Sequence, residues 1–386
     1  MTALDRPLAA ARAASATDYR AETATRFEVS ALRGGTAPTP FQGADWLASW
    51  YEAMAGRAGL TPVIVTVRQA RTGELALVLP LVLRRIGSLR LVEFADLDLT
   101  DYNAPLIGPA APRDRREAAR LWRAVRRALP PADLVRLAKM ETAFGGAPNP
   151  LALLPGAIAC ALNGNLVRLG PDYDAWRYAG LERTARKELE RIWRVFTKHP
   201  DAAFERVTDP AWARAVLAAI ENLQKRRMDA LGATYFLNEP DVAAVYHRLV
   251  ERGLADGSTV VTALVAGGEI VAGLLGLRQG ERYIMIRIGQ AGGRWSNCSP
   301  GRLVIERTMA FLHAEGVRCV DFSIGNYDYK RRFGTEPLAL VDLVAPLGWR
   351  GLAPALRARL VGRLRAHPEL DRRLRAWLGR FTFAKV

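Results

Sequence analysis

The sequence predicts an α/β (α+β) fold of two lobes, each a mixed, largely antiparallel sheet flanked by helices. Three observations lead there. The order strand, strand, strand, loop, helix, strand can be read twice along the 386 residues. Short turns containing Gly separate the β-branched runs, a hairpin signal. A chain of this length also holds about two domains.

Composition narrows the classes. Half the residues are hydrophobic and 24% are charged, as in a globular protein, and no apolar run reaches the ~18–20 residues of a membrane span. Residues 1–26 lack the continuous apolar core of a secretory signal, so a disordered or weakly helical arm and a cytoplasmic location are expected. Cys160, Cys298 and Cys319 are scattered, as are His199, His247, His313 and His367, so neither a disulfide framework nor a metal site is expected. The net charge of +16 suits an anionic small molecule, an anionic membrane or nucleic acid. With no lysine block and no aromatic-basic RNA signature, nucleic acid is not the expected partner.

In the first half, Phe27–Ala31 is expected as a short strand and Phe41–Ala55 as a helix with Trp46, Leu47 and Trp50 on its apolar face. Strands follow at Pro62–Arg68, Leu75–Leu83 and Leu89–Phe94. Next come an irregular acidic stretch (Asp96, Asp98, Asp101), a helix over Arg113–Ala128 and a strand over Leu134–Ala138. The acidic stretch suits a polar acceptor pocket or an ordinary loop. Phe144–Gly164, rich in Gly and Pro, marks the join, giving lobes over 27–164 and 165–346 and a tail over 347–386.

The second half opens with an amphipathic helix, Leu181–Lys198, with Leu189, Ile192 and Phe196 on one face and a basic stripe on another. Helices over Ala211–Leu231 and Pro240–Leu254 precede strands at Thr259–Ala266, Glu269–Arg278 and Tyr283–Ile288. After the loop Gly289–Cys298, Ser299-Pro300-Gly301 reads as a helix start, with Ser as N-cap and Pro at the first helical position. The helix ends near Glu315, and a strand over Val317–Ile324 leads into YDYKRRFG, Tyr327–Gly334. A glycine loop before a helix N-terminus suits a phosphate or pyrophosphate, although a well-capped helix needs no ligand. The tail, Leu352–Leu378, spaces leucines every three or four residues among arginines, a pattern for an anionic membrane surface or a solvated cap.

The run Ser299–Gly334, with its DF-x-I-G-x-Y-x-YKRRFG ending, resembles the GNAT-type acetyltransferases of the CelD/BcsL family of cellulose and exopolysaccharide synthesis. Arg183–Phe196 resembles the basic helix that opens that domain, and Phe41–Trp50 the N-terminal part of such proteins. The resemblance implies two tandem GNAT-like lobes, arranged similarly to the FemABX aminoacyltransferases, with acetyl-CoA or another acyl-CoA as donor. It also implies an amine or hydroxyl on a sugar-like acceptor and a link to polysaccharide synthesis machinery. The usual pyrophosphate signature, Q/R-x-x-G-x-G/A, is only approximated by Gln290–Trp295.

On this reading the strand carrying Ile286 and Ile288 lies along the pantetheine arm. Gln290, Gly292, Gly293, Ser299 and Gly301 hold the pyrophosphate, with Arg294 or Arg302 adding charge. Asp321 leads as acceptor base, ahead of Glu306 and Asp328, with Ser323 on the same polar strand face. Tyr327 or Tyr329 protonates the leaving thiolate, and Lys330 and Arg331 bind a CoA phosphate or an anionic acceptor. Rival readings are transfer from aminoacyl-tRNA and a non-catalytic component of a synthesis complex.

Overall fold

A computed structural model describes residues 19–325 and 327–366 of the chain. The first half runs β1 (Tyr19–Ala24), α1 (Ala44–Ala53), β2 (Leu60–Gln69), β3 (Leu75–Ile86), β4 (Leu89–Phe94), β5 (Leu106–Ile107), α2 (Arg115–Ala128) and β6 (Leu134–Glu141). A small hairpin, β7 (Ala143–Phe144) and β8 (Ala147–Pro148), leads to β9 (Ala157–Arg168). The second half continues α3 (Tyr173–Gly180), α4 (Arg183–Phe196), β10 (Ala203–Val207), α5 (Pro210–Ala230), α6 (Pro240–Gly253), β11 (Thr259–Ala266), β12 (Glu269–Gln279) and β13 (Arg282–Gln290). It closes with α7 (Pro300–Ala314), β14 (Cys319–Asp321), α8 (Asp328–Arg331), β15 (Glu336–Pro346) and α9 (Leu352–Ala366).

The main sheet has the order β1-β2-β3-β4-β6-β15-β9-β14-β13-β12-β11-β10, with β5 beside β3. Its two parallel steps match. Leu91–Glu93 pairs with Leu134–Arg136, and Arg282–Ile284 with Cys319–Asp321. All other strand pairs are antiparallel. The run of Leu75–Val82 is buried along its whole length, as a central strand covered on both faces must be. On α2, Asp114 accepts hydrogen bonds from the Arg116 and Glu117 amides, which fixes the helix start two residues later than expected.

The halves exchange their last strands. β9 does not pair with β6, which precedes it, but with β14 of the second half. β15, last in the chain, returns to pair with β6 and with β9. The division expected between 164 and 165 therefore falls inside β9.

Helices cover both faces. Trp46 and Trp50 of α1 share one core with Tyr246 and Leu249 of α6 and with Val261 and Leu275, so this core draws on both halves. The predicted apolar face of α4 (Leu189, Ile192, Phe196) packs with Leu303 and Met309 of α7 in a second core. Leu121 and Val125 of α2 fill a third, against Val65, Leu79 and Val135.

Three expectations are corrected here. The first edge strand is Tyr19–Ala24, inside the expected arm, and Val29–Leu32 is a single 3-10 turn. Its pairing with Ile64–Gln69 is a contact between distant parts of the chain, which a segment without apolar alternation does not announce. The strand expected over Val317–Ile324 keeps only Cys319–Asp321, because Ser323 takes a left-handed backbone, φ 67°, and leaves the ladder. The tail helix is described to Ala366, and the remainder of that expectation, to Leu378, lies outside the described residues.

Candidate active site

β13 organises the site. A register shift opposite Ile286 puts an extra residue into this strand against β12, a β-bulge that re-aims the strand beyond it. Arg287 turns inward and is fully buried, bonded to Gln224 at 2.8 Å, Tyr235 at 2.7 Å and Glu221 at 3.2 Å, and stacked on Tyr246. Past Ile284 and Asp321, β13 and β14 pair no further, so a gap opens between their C-terminal ends.

Beyond that gap, α5 crosses close to β13. A Cβ on Gly289 would stand 2.7 Å from the Ile220 Cα, so only glycine lets the helix approach this far. The approach sets Arg226 and Arg227 beside the loop after β13 and the N-terminus of α7, around a cleft of about 800 Å3. Five residues expected to hold a pyrophosphate line it: Gln290, Gly292, Arg294, Ser299 and Arg302. Arg294 pairs with Glu269 at 2.7 Å and Arg302 with Glu188 at 3.2 Å. Arg226 and Arg227 are exposed and have no ion-pair partner among the described residues. These two, read in the sequence mainly as helix-end charge, are the uncommitted cations of the cleft.

The other expected donor residues sit nearby in different roles. Gly301 is buried beneath the Gln290 side chain, where a Cβ would meet Gln290 Oε1 at 2.0 Å. Gly293, at φ 60°, begins the 3-10 turn Gly293–Cys298. Ile288 packs toward α7 and Ile286 toward the opposite core. Ser299 does not cap as expected: its backbone is left-handed and its side chain makes no cap bond, accepting instead from Arg302 at 3.2 Å. The Ser299 carbonyl accepts from the Arg302 and Leu303 amides at 3.0 and 3.2 Å. Arg331, exposed on the YKRRF turn, pairs with Asp328 and does not reach the cleft.

At the end of β14 lies a second cluster built from both halves. Asp321 is wholly buried, and each of its oxygens is engaged. Oδ1 accepts from Tyr102 Oη at 2.8 Å and the Ser323 amide at 2.7 Å, while Oδ2 meets Arg282 at 2.6 Å. Burial alone would lower the Arg282 guanidinium, but Asp321 and Glu141 (2.8 Å) hold it above its usual value. An enclosed ion pair of this kind does not present a free carboxylate, which removes the reason for taking Asp321 as acceptor base. Glu306 is likewise buried, between Arg177 and Arg307, and Asp328 is committed to Arg331.

The carboxylate that faces the cluster is Asp101, from the acidic loop of the first half. It lies beside the Ser323 side chain and is pushed up to about 6 by burial. Lys330 is 3% exposed, donates to the Ser323 and Ile324 carbonyls at 3.1 and 2.7 Å, and is lowered to about 8 by burial. Tyr329 is half-buried and pushed up to about 12, burial again the main cause. Arg227 acts electrostatically on Tyr329, so the cleft and the cluster adjoin. Tyr327 is 63% exposed, stacked on Tyr329 with centroids 6.2 Å apart. Sequence reading named Ser323, Tyr329 and Lys330 as site candidates, and Asp101 only within an acidic stretch suited to a polar acceptor pocket or an ordinary loop.

A family model described as Acetyltransferase (GNAT) domain matches residues 183–331. A crystal structure of FemX matches with a TM-score of 0.58 at 11% identity, over 84% of this chain and 97% of that one. A tandem GNAT protein from the clavulanic acid biosynthesis pathway gives 0.44 at 11% identity, over 86% and 99%. The structure of L-PGS from Bacillus licheniformis gives 0.45 at 10%, over 80% and 92%. No curated protein matches. At this identity the FemX likeness is one of fold alone. Residues 183–331 are thus similar to a GNAT acetyltransferase domain and lie within a mixed, helix-flanked sheet.

Proposed function

We propose that this chain transfers an acyl group from an acyl-CoA, acetyl-CoA the simplest, to an amine or hydroxyl of a sugar or polysaccharide precursor. The observation that carries the donor reading is the single cleft into which Gln290, Gly292, Ser299 and Arg302 converge with Arg226, Arg227 and the start of α7. Uncommitted guanidinium groups beside the positive end of a helix suit a pyrophosphate. From there the thioester reaches into the gap between β13 and β14. The acceptor approaches from the first half, past Asp101.

In this mechanism the Asp101 carboxylate, beside Ser323, accepts the acceptor's proton as the new bond to the acyl carbon forms. Tyr329 stays protonated at neutral pH and donates to the departing thiolate. Lys330 ties the YKRRF turn to the end of β14 and keeps a positive charge beside Asp101. The cytoplasmic setting and the exopolysaccharide or cellulose pathway rest on the CelD/BcsL resemblance of the YKRRFG region.

A second reading, transfer from aminoacyl-tRNA, draws on the FemX-like fold and the +16 charge. Calorimetric titration with acetyl-CoA, longer acyl-CoAs and charged tRNA separates the two. The expected result is acyl-CoA binding that an Arg226→Ala/Arg227→Ala variant weakens by about tenfold or more, ~1.4 kcal/mol per decade. A salt-dependent tRNA complex with no acyl-CoA binding would replace the first reading by the second. Binding of neither would leave the non-catalytic component.

A further inference from the structure

Helix α9 is apolar on two faces. Ala355 and Gly362 are buried against the sheet, and a Cβ on Gly362 would stand 2.7 Å from Ile158 Cβ, so the helix lies close on β9. Its outer face is also apolar. Leu352, Leu356 and Leu360, one helical turn apart, are 58%, 60% and 52% exposed, and Trp349 just before the helix is 78% exposed. Scattered exposed leucines are ordinary, but a helix-spaced stripe headed by a Trp is a surface.

Charge around the stripe has one sign. From Leu343 to Ala366 the sequence contains five arginines and no acidic residue. Arg350 and Arg357 are exposed beside the leucines. A second element extends the same field. Arg126 of α2 donates to the Pro346 carbonyl at 3.1 Å, which brings the α2 C-terminus within three residues of Trp349. Arg123, Arg126 and Arg127 on that helix are all exposed.

We propose that Trp349 and the Leu352–Leu356–Leu360 face of α9 dock this protein onto an anionic phospholipid bilayer, with the α9 and α2 arginines meeting the headgroups. The leucines enter the acyl boundary, Trp349 sits at the headgroup level, and the arginines supply electrostatic attraction, the arrangement of an interfacial helix. No described helix is long and apolar enough to cross a membrane, so the contact is peripheral. A protein partner would not require the single sign of charge carried by α9 and by the C-terminal end of α2 together. The docking face is independent of the acyl-transfer reading and stands if that reading fails.

Co-sedimentation of the full chain with vesicles tests it, using phosphatidylcholine alone and phosphatidylcholine with phosphatidylglycerol. Binding is expected only to the anionic vesicles, weakening as salt rises. Leu352→Glu/Leu356→Glu should reduce it at least tenfold. Arg350→Glu/Arg357→Glu should shift the salt dependence to lower salt. The replaced side chains are exposed, so unchanged circular dichroism and thermal midpoint certify the fold. No vesicle binding by the wild type overturns the proposal, as does equal binding by the leucine variant. A leucine variant that instead dissociates a solution dimer assigns the stripe to a second copy of the chain and overturns it too.

Discussion

Asp101 and Asp321 are two carboxylates differently placed, the first the proposed acceptor base and the second held in a buried ion pair. Asp101 carries a raised value near 6 because it is desolvated beside Ser323, and a carboxylate so placed is still ionised at neutral pH. Its base form exists above that value, so kcat/KM should rise through about pH 6. Lys330 loses its charge above about 8, and the rate should fall there, giving a bell with those apparent limits. Asp101→Asn should lower kcat by roughly 10²–10⁴ and remove the acid limb while acyl-CoA affinity stays, because Asp101 does not line the proposed donor cleft. An unchanged acid limb in that variant would exclude Asp101. Asp321 answers to stability. Asp321→Ala leaves Tyr102 Oη and the Ser323 amide without their acceptor and Arg282 with Glu141 alone, a loss of about 3–5 kcal/mol for a broken buried pair. Denaturant unfolding measures it. A loss under about 1 kcal/mol would show that this ion pair does not hold the halves together.

At the scale of elements, the N-terminus of α7 is where local sequence and tertiary packing meet. Gly301 looked like a position for phosphate approach, yet its missing Cβ makes room for Gln290. Gly301→Ala would push the Gln290 amide toward the cleft while exchanging glycine for a better helix former by about 1 kcal/mol. The expected outcome is a weakened acyl-CoA affinity, about tenfold, with a thermal midpoint that does not fall. Affinity unchanged by calorimetry would remove Gln290 from the donor site. The same region marks how far the sequence could be read. The β11–β13 meander was visible because Gly267, Gly268 and Gly280 adopt the positive φ that their turns demand. The break after β13 was legible for the same local reason, with Gly293 at positive φ. The early end of β14, the left-handed Ser299 and the β13 bulge depend on neighbours far away in sequence. Asp101 was hidden more deeply, since its partner Ser323 belongs to the other half of the chain.

The whole molecule couples those halves through strand exchange. A fragment starting at 165 would keep only the last four of the twelve residues of β9 and leave β15 without β6. It would also strip α1 from α6, exposing the core that Trp46 and Trp50 share with Tyr246. Arg252 would lose Glu52 at 2.7 Å, and Arg57 of the missing half would no longer reach Asp241. Two lobes that merely touched would unfold separately, each about its own core. Here neither half completes its sheet without a strand from the other, so loosening one exposes ladder groups in both. Calorimetry of the full chain should therefore show one cooperative transition whose van't Hoff and calorimetric enthalpies agree. The 165–346 fragment should lack near-ultraviolet circular dichroism. Two separable transitions, or a fragment with native-like spectra that binds acyl-CoA, would mean that the exchanged strands contribute pairing without coupling. With one transition, the Asp101–Ser323 contact would join two faces that the same exchange holds in register.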